Sequence, residues 1–151
     1  MLYRAEGYPG VILRLFLTYG PGQSDDRLIP QVVKGCLQDK QFPVSKGEQY
    51  RDFCYVDDTI DGIFKTFKAN DVDGQVINIA SGKPVRIREV IETIKNRVGK
   101  GDPQFGAVPY RPGENMSLYA SIDRATDLIS WTPRTSLETG IYKTIEWIKA
   151  G

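Results

Sequence analysis

A strand-like run that passes directly into an amphipathic helix narrows the possible folds of this chain more than any other feature. Residues 49–56 (QYRDFCYV) are rich in aromatic and β-branched side chains, which favour an extended segment. Four apolar residues then recur at helical spacing, which predicts a helix over Asp57–Lys68 with a buried apolar face formed by Ile60, Ile63, Phe64 and Phe67. A strand that feeds a helix in this way is the building unit of a mixed α/β fold.

Two further apolar runs, Val11–Leu17 and Val76–Ala80, are typical of buried strands in a parallel sheet. Strands that alternate with helical patterns predict the α/β class. The other predicted elements are extended segments at Gln41–Ser45 and Gln104–Val108, and helices at Arg27–Leu37, Ile87–Val98, Asp123–Ile129 and Ser136–Lys149. Predicted helix caps are Asp25 or Asp26 for the first helix, Asp57 or Asp58 for the second, and Thr135 with Glu138 for the last.

Composition excludes several classes of function. The chain has 151 residues, of which 40% are hydrophobic and 26% charged, so it is long enough for one domain with its own core. A net charge of +1 gives no electrostatic reason to expect binding to nucleic acid or to an anionic membrane. There is no apolar run long enough to span a bilayer, and residues 1–10 lack the apolar segment of a secretory signal. We therefore expect a cytoplasmic protein.

Catalytic and metal-binding side chains are scarce. The sequence contains no histidine, which excludes histidine triads and histidine zinc ligands, and we expect no metal site. Cys36 and Cys54 lie inside apolar patterns and are expected to be buried, reduced thiols rather than a disulfide.

Two arginines and one asparagine are candidate ligand-binding residues. Arg51 stands near the start of a strand, and a guanidinium matches two phosphate oxygens at once, although a surface ion pair with Asp52 is the alternative. Arg111 precedes the turn-forming pair Pro112-Gly113 and is therefore expected on a loop, where it could also be a solvated cation. Asn78 lies near the carboxyl end of an apolar strand, where it either faces a ligand or caps the next turn.

The order of four short motifs resembles a known enzyme family. YGPGQ at 19–23, RDFCYVDD at 51–58, VINIAS at 76–81 and RPGE at 111–114 follow one another as in the C-terminal half of extended short-chain dehydrogenases/reductases, the NAD-dependent epimerases and dehydratases of nucleotide sugars. The resemblance covers about residues 11–149. It implies the last strands of a Rossmann-like sheet together with a smaller α/β lobe that binds substrate.

The resemblance also assigns roles to residues. It implies that Arg51 and Arg111 clamp the pyrophosphate of a nucleotide-diphosphate sugar, that Asn78 faces the nucleotide, and that Val44 and Ser45 contact its base and ribose. Leu15 and Phe16 match positions that line the nicotinamide pocket. Leu17 stands where the family has an asparagine that binds a phosphate, and a leucine can neither donate nor accept a hydrogen bond.

Half of the family's machinery is not found in this sequence. There is no glycine-rich dinucleotide fingerprint, and no tyrosine is followed four residues later by a lysine. We therefore expect residues 1–151 to be a single substrate-binding portion without the N-terminal dinucleotide-binding portion and without a catalytic residue. The complete enzyme would use NAD or NADP and would be a homo-oligomer.

Three functions are compatible with this pattern. The first is the nucleotide-sugar-binding portion of an NAD(P)-dependent epimerase, dehydratase or reductase. The second is a non-catalytic nucleotide-sugar-binding module, or a subunit of a two-chain enzyme. The third is a remnant that binds nothing, which would be favoured if residues 11–17 were left as an unpaired sheet edge. In each case we expect Val11–Leu17 to promote association with a missing half or with other chains, because it would expose an apolar strand edge.

Overall fold

A computed structural model describes residues 6–7 and 9–151 of the chain. The expectation of no secretory signal is based on residues 1–10, and most of these lie outside the described residues. The strands are β1 (Ile12–Leu15), β2 (Leu17–Tyr19), β3 (Gln41–Val44), β4 (Tyr50–Tyr55), β5 (Val76–Ile79), β6 (Pro84–Arg86), β7 (Asp102–Phe105) and β8 (Ser117–Leu118). The helices are α1 (Leu28–Leu37), α2 (Val56–Lys68), α3 (Ile87–Val98), α4 (Asp123–Ile129) and α5 (Leu137–Ala150).

The first sheet is a parallel pair. β1 lies beside β5, in a register that matches Ile12 with Val76 and Leu15 with Ile79. The predicted strand Val11–Leu17 is divided after Leu15, and the prediction that it is buried is wrong, because Ile12, Leu15 and Leu17 are exposed. Within the described residues β1 pairs with β5 alone, so one edge of β1 has no neighbour.

β4 organises the rest of the strands. It pairs in parallel with β2 and β8 and antiparallel with β6, while β3 and β7 form a separate parallel pair. The predicted α/β class is confirmed by this mixture of parallel strands and helices.

Two apolar cores lie on either side of β4. Phe53 and Tyr55 pack into the first core with α1, α3 and α5, whereas Cys54 belongs to the second core with β5, α4 and Trp131. Neighbouring residues contribute to different cores because successive side chains of a strand point to opposite faces. Cys36 and Cys54 are both buried free thiols, as predicted.

Helix α2 begins one residue before the predicted start and buries a different face. The residues turned toward the protein are Asp58, Thr59, Gly62 and Thr66, and the prediction that the apolar face is buried is wrong for three of its members, because Ile60, Phe64 and Phe67 are exposed. Gly62 explains the choice of face. A Cβ atom there would lie 3.0 Å from Ile79 Cδ1 and 3.1 Å from Trp131 Cε2, so the glycine allows α2 to approach β5 closely.

The predicted side-chain caps are not observed. Arg27 and Tyr55 precede α1 and α2 at their N-caps, and neither helix has a side-chain cap. Asp58 instead accepts hydrogen bonds from the backbone N–H groups of Arg134 (3.1 Å) and Thr135 (2.9 Å). The cap of α5 is Ser136, whose hydroxyl accepts from the N–H of Thr139. None of the helices in the described part of the chain is long and apolar enough to cross a membrane.

Candidate functional site

A cavity of about 570 Å³ lies between the beginnings of α1, β4 and α3 and the loop at residues 108–114. It brings together five of the residues that the sequence marked as substrate-binding, namely Leu17, Val44, Ser45, Arg51 and Arg111. The cavity lies on the side of the first apolar core, because Phe53, Ile29 and Ile91 form part of its wall. A rigid core therefore supports the polar side chains at its surface.

Arg51 is held in the cavity wall by two partners. Its guanidinium donates to the carbonyl oxygen of Tyr50 at 2.7 Å and to the carboxylate of Glu114. Only 12% of the Arg51 side chain and 21% of the Glu114 side chain are exposed, so this pair is better shielded from solvent than an ordinary surface ion pair. The contact shows that an anionic oxygen fits against the guanidinium at this position.

Asp52 does not pair with Arg51. It is fully buried, and its carboxylate accepts hydrogen bonds from the backbone N–H groups of Ser81 (2.6 Å) and Gly82 (3.0 Å). The surface ion pair between Arg51 and Asp52, which the sequence left open, is therefore not formed. Asp52 instead connects β4 to the loop after β5.

The loop at 108–116 carries Arg111 to the cavity. The predicted turn at Pro112-Gly113 is present, because the Glu114 N–H donates to the Arg111 carbonyl at 3.0 Å and Gly113 has φ +73°. The Tyr50 N–H donates to the Met116 carbonyl at 2.8 Å, which fastens the end of the loop to β4. Arg111 and Arg51 thus line the same cavity although they come from distant parts of the sequence.

The N-terminus of α1 forms another part of the wall. Arg27, Leu28 and Ile29 line the cavity, and no side chain caps the helix at Arg27. The first backbone N–H groups of a helix have no acceptor within the helix, and this end carries partial positive charge. Together with the arginines, it creates a surface that attracts anions.

Val44 and Ser45 lie where β3 leaves its pairing with β7. The Ser45 hydroxyl accepts a hydrogen bond from the Gly47 N–H at 3.3 Å. Gly47 has φ +73°, and a Cβ atom there would lie 2.8 Å from the Arg88 backbone nitrogen. The glycine therefore allows the chain to turn tightly from β3 toward β4 and keeps Ser45 at the cavity.

Two glutamines in the wall carry amide oxygens that lack hydrogen-bond partners. The Oε1 atoms of Gln23 and Gln49 are buried and have no donor among the residues that the structure describes. The Gln23 orientation is fixed, because its Nε2 donates to the Thr18 carbonyl at 2.8 Å. A buried acceptor without a donor is unfavourable by about 1–3 kcal/mol, so both oxygens are suited to a hydroxyl or N–H group of a ligand.

Cations outnumber anions around the cavity. Arg27, Arg51 and Arg111 face two carboxylates, those of Glu114 and Asp26. Asp26 is exposed, and a hydrogen bond from the Ser24 side chain lowers the pKa of its carboxyl group. The site retains one excess positive charge, supplemented by the N-terminus of α1.

Three of the predicted site residues lie outside this cavity. Asn78 donates through Nδ2 to the Ser121 carbonyl at 3.0 Å. This hydrogen bond stabilises the loop that carries Ser121. Leu15 is exposed on β1, and Phe16 is half-buried and donates its N–H to the Ile79 carbonyl. None of the three lines the cavity that holds Arg51. The described residues contain no group of histidines, cysteines or carboxylates arranged to hold a metal ion.

Comparison with known proteins places this arrangement in a family. Residues 2–80, just over half of the chain, match the NAD dependent epimerase/dehydratase family. The chain is 29% identical over 140 residues to the UDP-glucuronate 4-epimerase of Thermodesulfobacterium geofontis, covering 91% of this chain and 42% of the relative. It is 29% identical over 155 residues to the dTDP-glucose 4,6-dehydratase of Escherichia coli, covering 97% of this chain and 43% of the relative.

The crystal structure of UDP-glucuronic acid 4-epimerase from Bacillus cereus in complex with UDP-glucuronic acid and NAD superposes with a TM-score of 0.90 at 32% identity. The match covers 98% of this chain and 48% of that enzyme, so the chain spans about half the length of the relatives it matches. The motifs, the α/β fold and the sequence matches of this chain all agree with one family assignment. The chain belongs to the NAD-dependent epimerase/dehydratase family.

Proposed function

We propose that this chain is the nucleotide-sugar-binding portion of an NAD(P)-dependent epimerase, dehydratase or reductase, and that the cavity at Arg51 binds the nucleotide. The observation that carries the proposal is the meeting of Arg51, Arg111 and the N-terminus of α1 at one cavity. A pyrophosphate carries two charges and several acceptor oxygens, which such a set of donors recognises.

The geometry supports a specific pose. The pyrophosphate would lie against Arg51, Arg111 and the N-terminus of α1, and it would share the Arg51 guanidinium with Glu114 or displace that carboxylate. Val44 and Ser45 would contact the nucleoside. The orphaned oxygens of Gln23 and Gln49 would accept hydrogen bonds from its hydroxyl or N–H groups. Leu17 would offer only an apolar contact.

The nicotinamide cofactor fits this chain only in part. When bound, it supplies hydride transfer to and from a carbon of the sugar. Leu15 presents an exposed apolar surface suited to contact a nicotinamide ring, but the sequence contains no glycine-rich loop for the pyrophosphate of the dinucleotide. It also contains no Tyr-x-x-x-Lys pair to move a proton, so this chain would bind and orient the sugar nucleotide while a dinucleotide-binding half supplies the remaining residues.

The alternative is a non-catalytic nucleotide-sugar-binding module, or a subunit of a two-chain enzyme. The same cavity is compatible with it, because binding at Arg51 and Arg111 requires no catalytic residue. DNA upstream of the first codon distinguishes the functions: an in-frame G-x-x-G-x-x-G and Y-x-x-x-K would support the enzyme. A cytoplasmic location and a homo-oligomeric complete enzyme belong to the same proposal.

Titration calorimetry with uridine diphosphate and uridine tests the binding site directly. We expect the diphosphate to bind and the nucleoside to bind far more weakly, because only the diphosphate engages the arginines. Incubation of the chain with UDP-sugars and NAD should give no product. Equal affinity for diphosphate and nucleoside, or failure of the diphosphate to bind, would contradict the proposed site. Clear turnover by the chain alone would contradict its role as a portion of an enzyme.

A further inference from the structure

Tyr110 joins two loops that meet at the cavity. It lines the cavity next to Arg111, and its hydroxyl oxygen accepts a hydrogen bond from the Glu48 N–H at 3.0 Å. The same oxygen lies 3.4 Å from Oε2 of Glu48, so the hydroxyl can also donate to that carboxylate. Residues 48 and 110 are 62 positions apart in the sequence, and their contact fixes the loop at 108–114 against the turn between β3 and β4.

Val44 fastens the same two segments a second time. Its carbonyl oxygen accepts hydrogen bonds from the N–H groups of Gly106 (3.0 Å) and Val108 (3.2 Å). A carbonyl oxygen has two lone pairs, so both acceptor sites of Val44 are used within the protein and this carbonyl cannot read the edge of a base. The segment that leads to Tyr110 is thereby held beside Val44 and Ser45, the residues expected to contact the nucleoside.

Tyr110 is also the aromatic side chain whose ring can be offered to a ligand. Of the described residues that line the cavity, the other aromatic one is Phe53. Phe53 is only 7% exposed, and its ring meets Tyr19 edge-on in the first core, with the ring centroids 6.1 Å apart. Tyr110 is half-buried and its hydroxyl is already hydrogen-bonded, so a ligand can cover the ring without leaving a polar group unpaired.

We infer that the Tyr110 ring is the surface on which the nucleobase stacks, while Arg51 and Arg111 bind the pyrophosphate. In a nucleoside diphosphate a single ribose joins the base to the phosphates, so a pyrophosphate at Arg111 brings the base within reach of the neighbouring Tyr110. Stacking tolerates different bases, because every base presents a π face, so Tyr110 contributes affinity for the nucleotide rather than the choice of base. The inference rests on the proposed function and adds a positioning residue to it.

Titration calorimetry with two ligands separates stacking from phosphate binding. Uridine diphosphate carries a base, whereas inorganic pyrophosphate engages only the cations. We expect Tyr110→Ala to weaken uridine diphosphate about tenfold, as truncation of a stacking aromatic does, and to leave pyrophosphate affinity unchanged. Tyr110→Phe keeps the ring and should retain most of the affinity. Tyr142→Ala, an exposed change on α5 outside the cavity, is the matched control and should bind both ligands like wild type.

Four results of this titration would overturn the assignment of Tyr110. Unchanged binding of uridine diphosphate by Tyr110→Ala would show that the ring adds nothing, and tighter binding would show that the ring fills the place of the base. Equal losses in Tyr110→Phe and Tyr110→Ala would assign the effect to the contact with Glu48, and a parallel loss of pyrophosphate affinity would assign it to the loop as a whole. Failure of wild type to bind uridine diphosphate would instead contradict the proposed function itself.

Hydroxyl-radical footprinting gives a readout that a purely structural tyrosine would not change. Oxidation of Tyr110 should fall several-fold when uridine diphosphate is added and should stay the same with pyrophosphate. Tyr142, which is 43% exposed, is the internal reference in each sample. Protection of Tyr110 by both ligands, or by neither, would contradict stacking of the base on this ring.

Discussion

At the scale of single residues, Arg51 and Asp52 place their charges on opposite sides of β4. Arg51 meets Glu114 in the cavity wall, and Asp52 is buried against the backbone of Ser81 and Gly82. One residue therefore lines the cavity, while its neighbour stabilises the strand that presents it.

Arg51→Lys should weaken the binding of uridine diphosphate about tenfold or more. Lysine keeps the charge but loses the planar fork, and one charge-assisted hydrogen bond of roughly 1.5–3 kcal/mol corresponds to at least one decade in affinity. Calorimetry with wild type, Arg51→Lys and Arg111→Ala measures the effect. Arg134→Lys, which lies outside the cavity, is the control and should bind like wild type. A loss with Arg111→Ala but not with Arg51→Lys would move the phosphate to the Pro112-Gly113 loop.

Asp52→Asn should lower the free energy of unfolding by about 2–3 kcal/mol. The carboxylate accepts from the N–H groups of Ser81 and Gly82. An asparagine amide has only one oxygen, so its NH₂ group would face at least one of these two N–H donors without forming a hydrogen bond. Urea denaturation measures the change. Asp57→Asn, an exposed change in the first turn of α2, should cost no more than about 1 kcal/mol. Equal small losses in both variants would show that Asp52 adds little to stability.

The sequence revealed only part of the candidate site. Arg51 and Arg111 stand in recognisable motifs, and the structure places both at one cavity. Arg27, Gln23 and Gln49 were missed, because their place at the cavity depends on how the loops before α1 and β4 fold. Glu114 was visible in the RPGE motif, but its contact with Arg51 joins residues 63 positions apart, which local patterns do not specify.

At the scale of elements, periodic apolar spacing predicted the ends of the helices to within one residue. It failed where tertiary contacts determine which strand forms or which helix face is buried. α3 and α4 have the predicted bounds, whereas β6 and β8 were not predicted, because such short strands depend on pairing with β4. The buried face of α2 was misassigned for a related reason. Its apolar stripe satisfies the helical pattern, but Gly62 and the polar residues beside it make the close contact with β5.

Gly140→Ala should destabilise the contact of α5 with the first core by about 1–3 kcal/mol. A Cβ atom at this position would lie 2.1 Å from the Tyr19 hydroxyl oxygen and 2.9 Å from Tyr55 Cδ2. The Tyr19 hydroxyl also donates to the Leu137 carbonyl at 3.2 Å, so the ring cannot withdraw without losing that bond. Thermal unfolding compares this variant with Glu146→Ala, an exposed change on the same helix that should be nearly neutral. A stabilised Gly140→Ala protein would refute the steric argument.

At the scale of the whole molecule, both cores hold weakly acidic groups in their neutral form. Burial raises the pKa of Cys54 in the second core from 9.0 to about 11, and burial also raises the pKa of Tyr19 in the first core. The unfolded chain therefore ionises at a lower pH than the folded chain. Stability from these groups is complete below about pH 9 and is lost as the pH rises further.

We accordingly expect the free energy of unfolding to fall between pH 9 and pH 11, by up to about 3 kcal/mol for Cys54 alone. Urea denaturation at intervals across this range measures the slope. In Cys54→Ala the free energy of unfolding should fall less steeply with pH than in wild type. The fall that remains in this variant would be due to Tyr19 and other groups. Identical slopes in the two proteins would show that the Cys54 thiol does not govern alkaline stability.

The position of β4 between the two cores determines how the chain can come apart. Phe53 and Tyr55 leave the first core only if β4 shifts, and the same shift withdraws Cys54 from the second core. Cooperative unfolding units usually coincide with such shared elements. The two cores should therefore melt in a single transition. In a Trp147→Phe variant, fluorescence from Trp131 in the second core should report the same midpoint as far-UV circular dichroism from the helices of the whole chain.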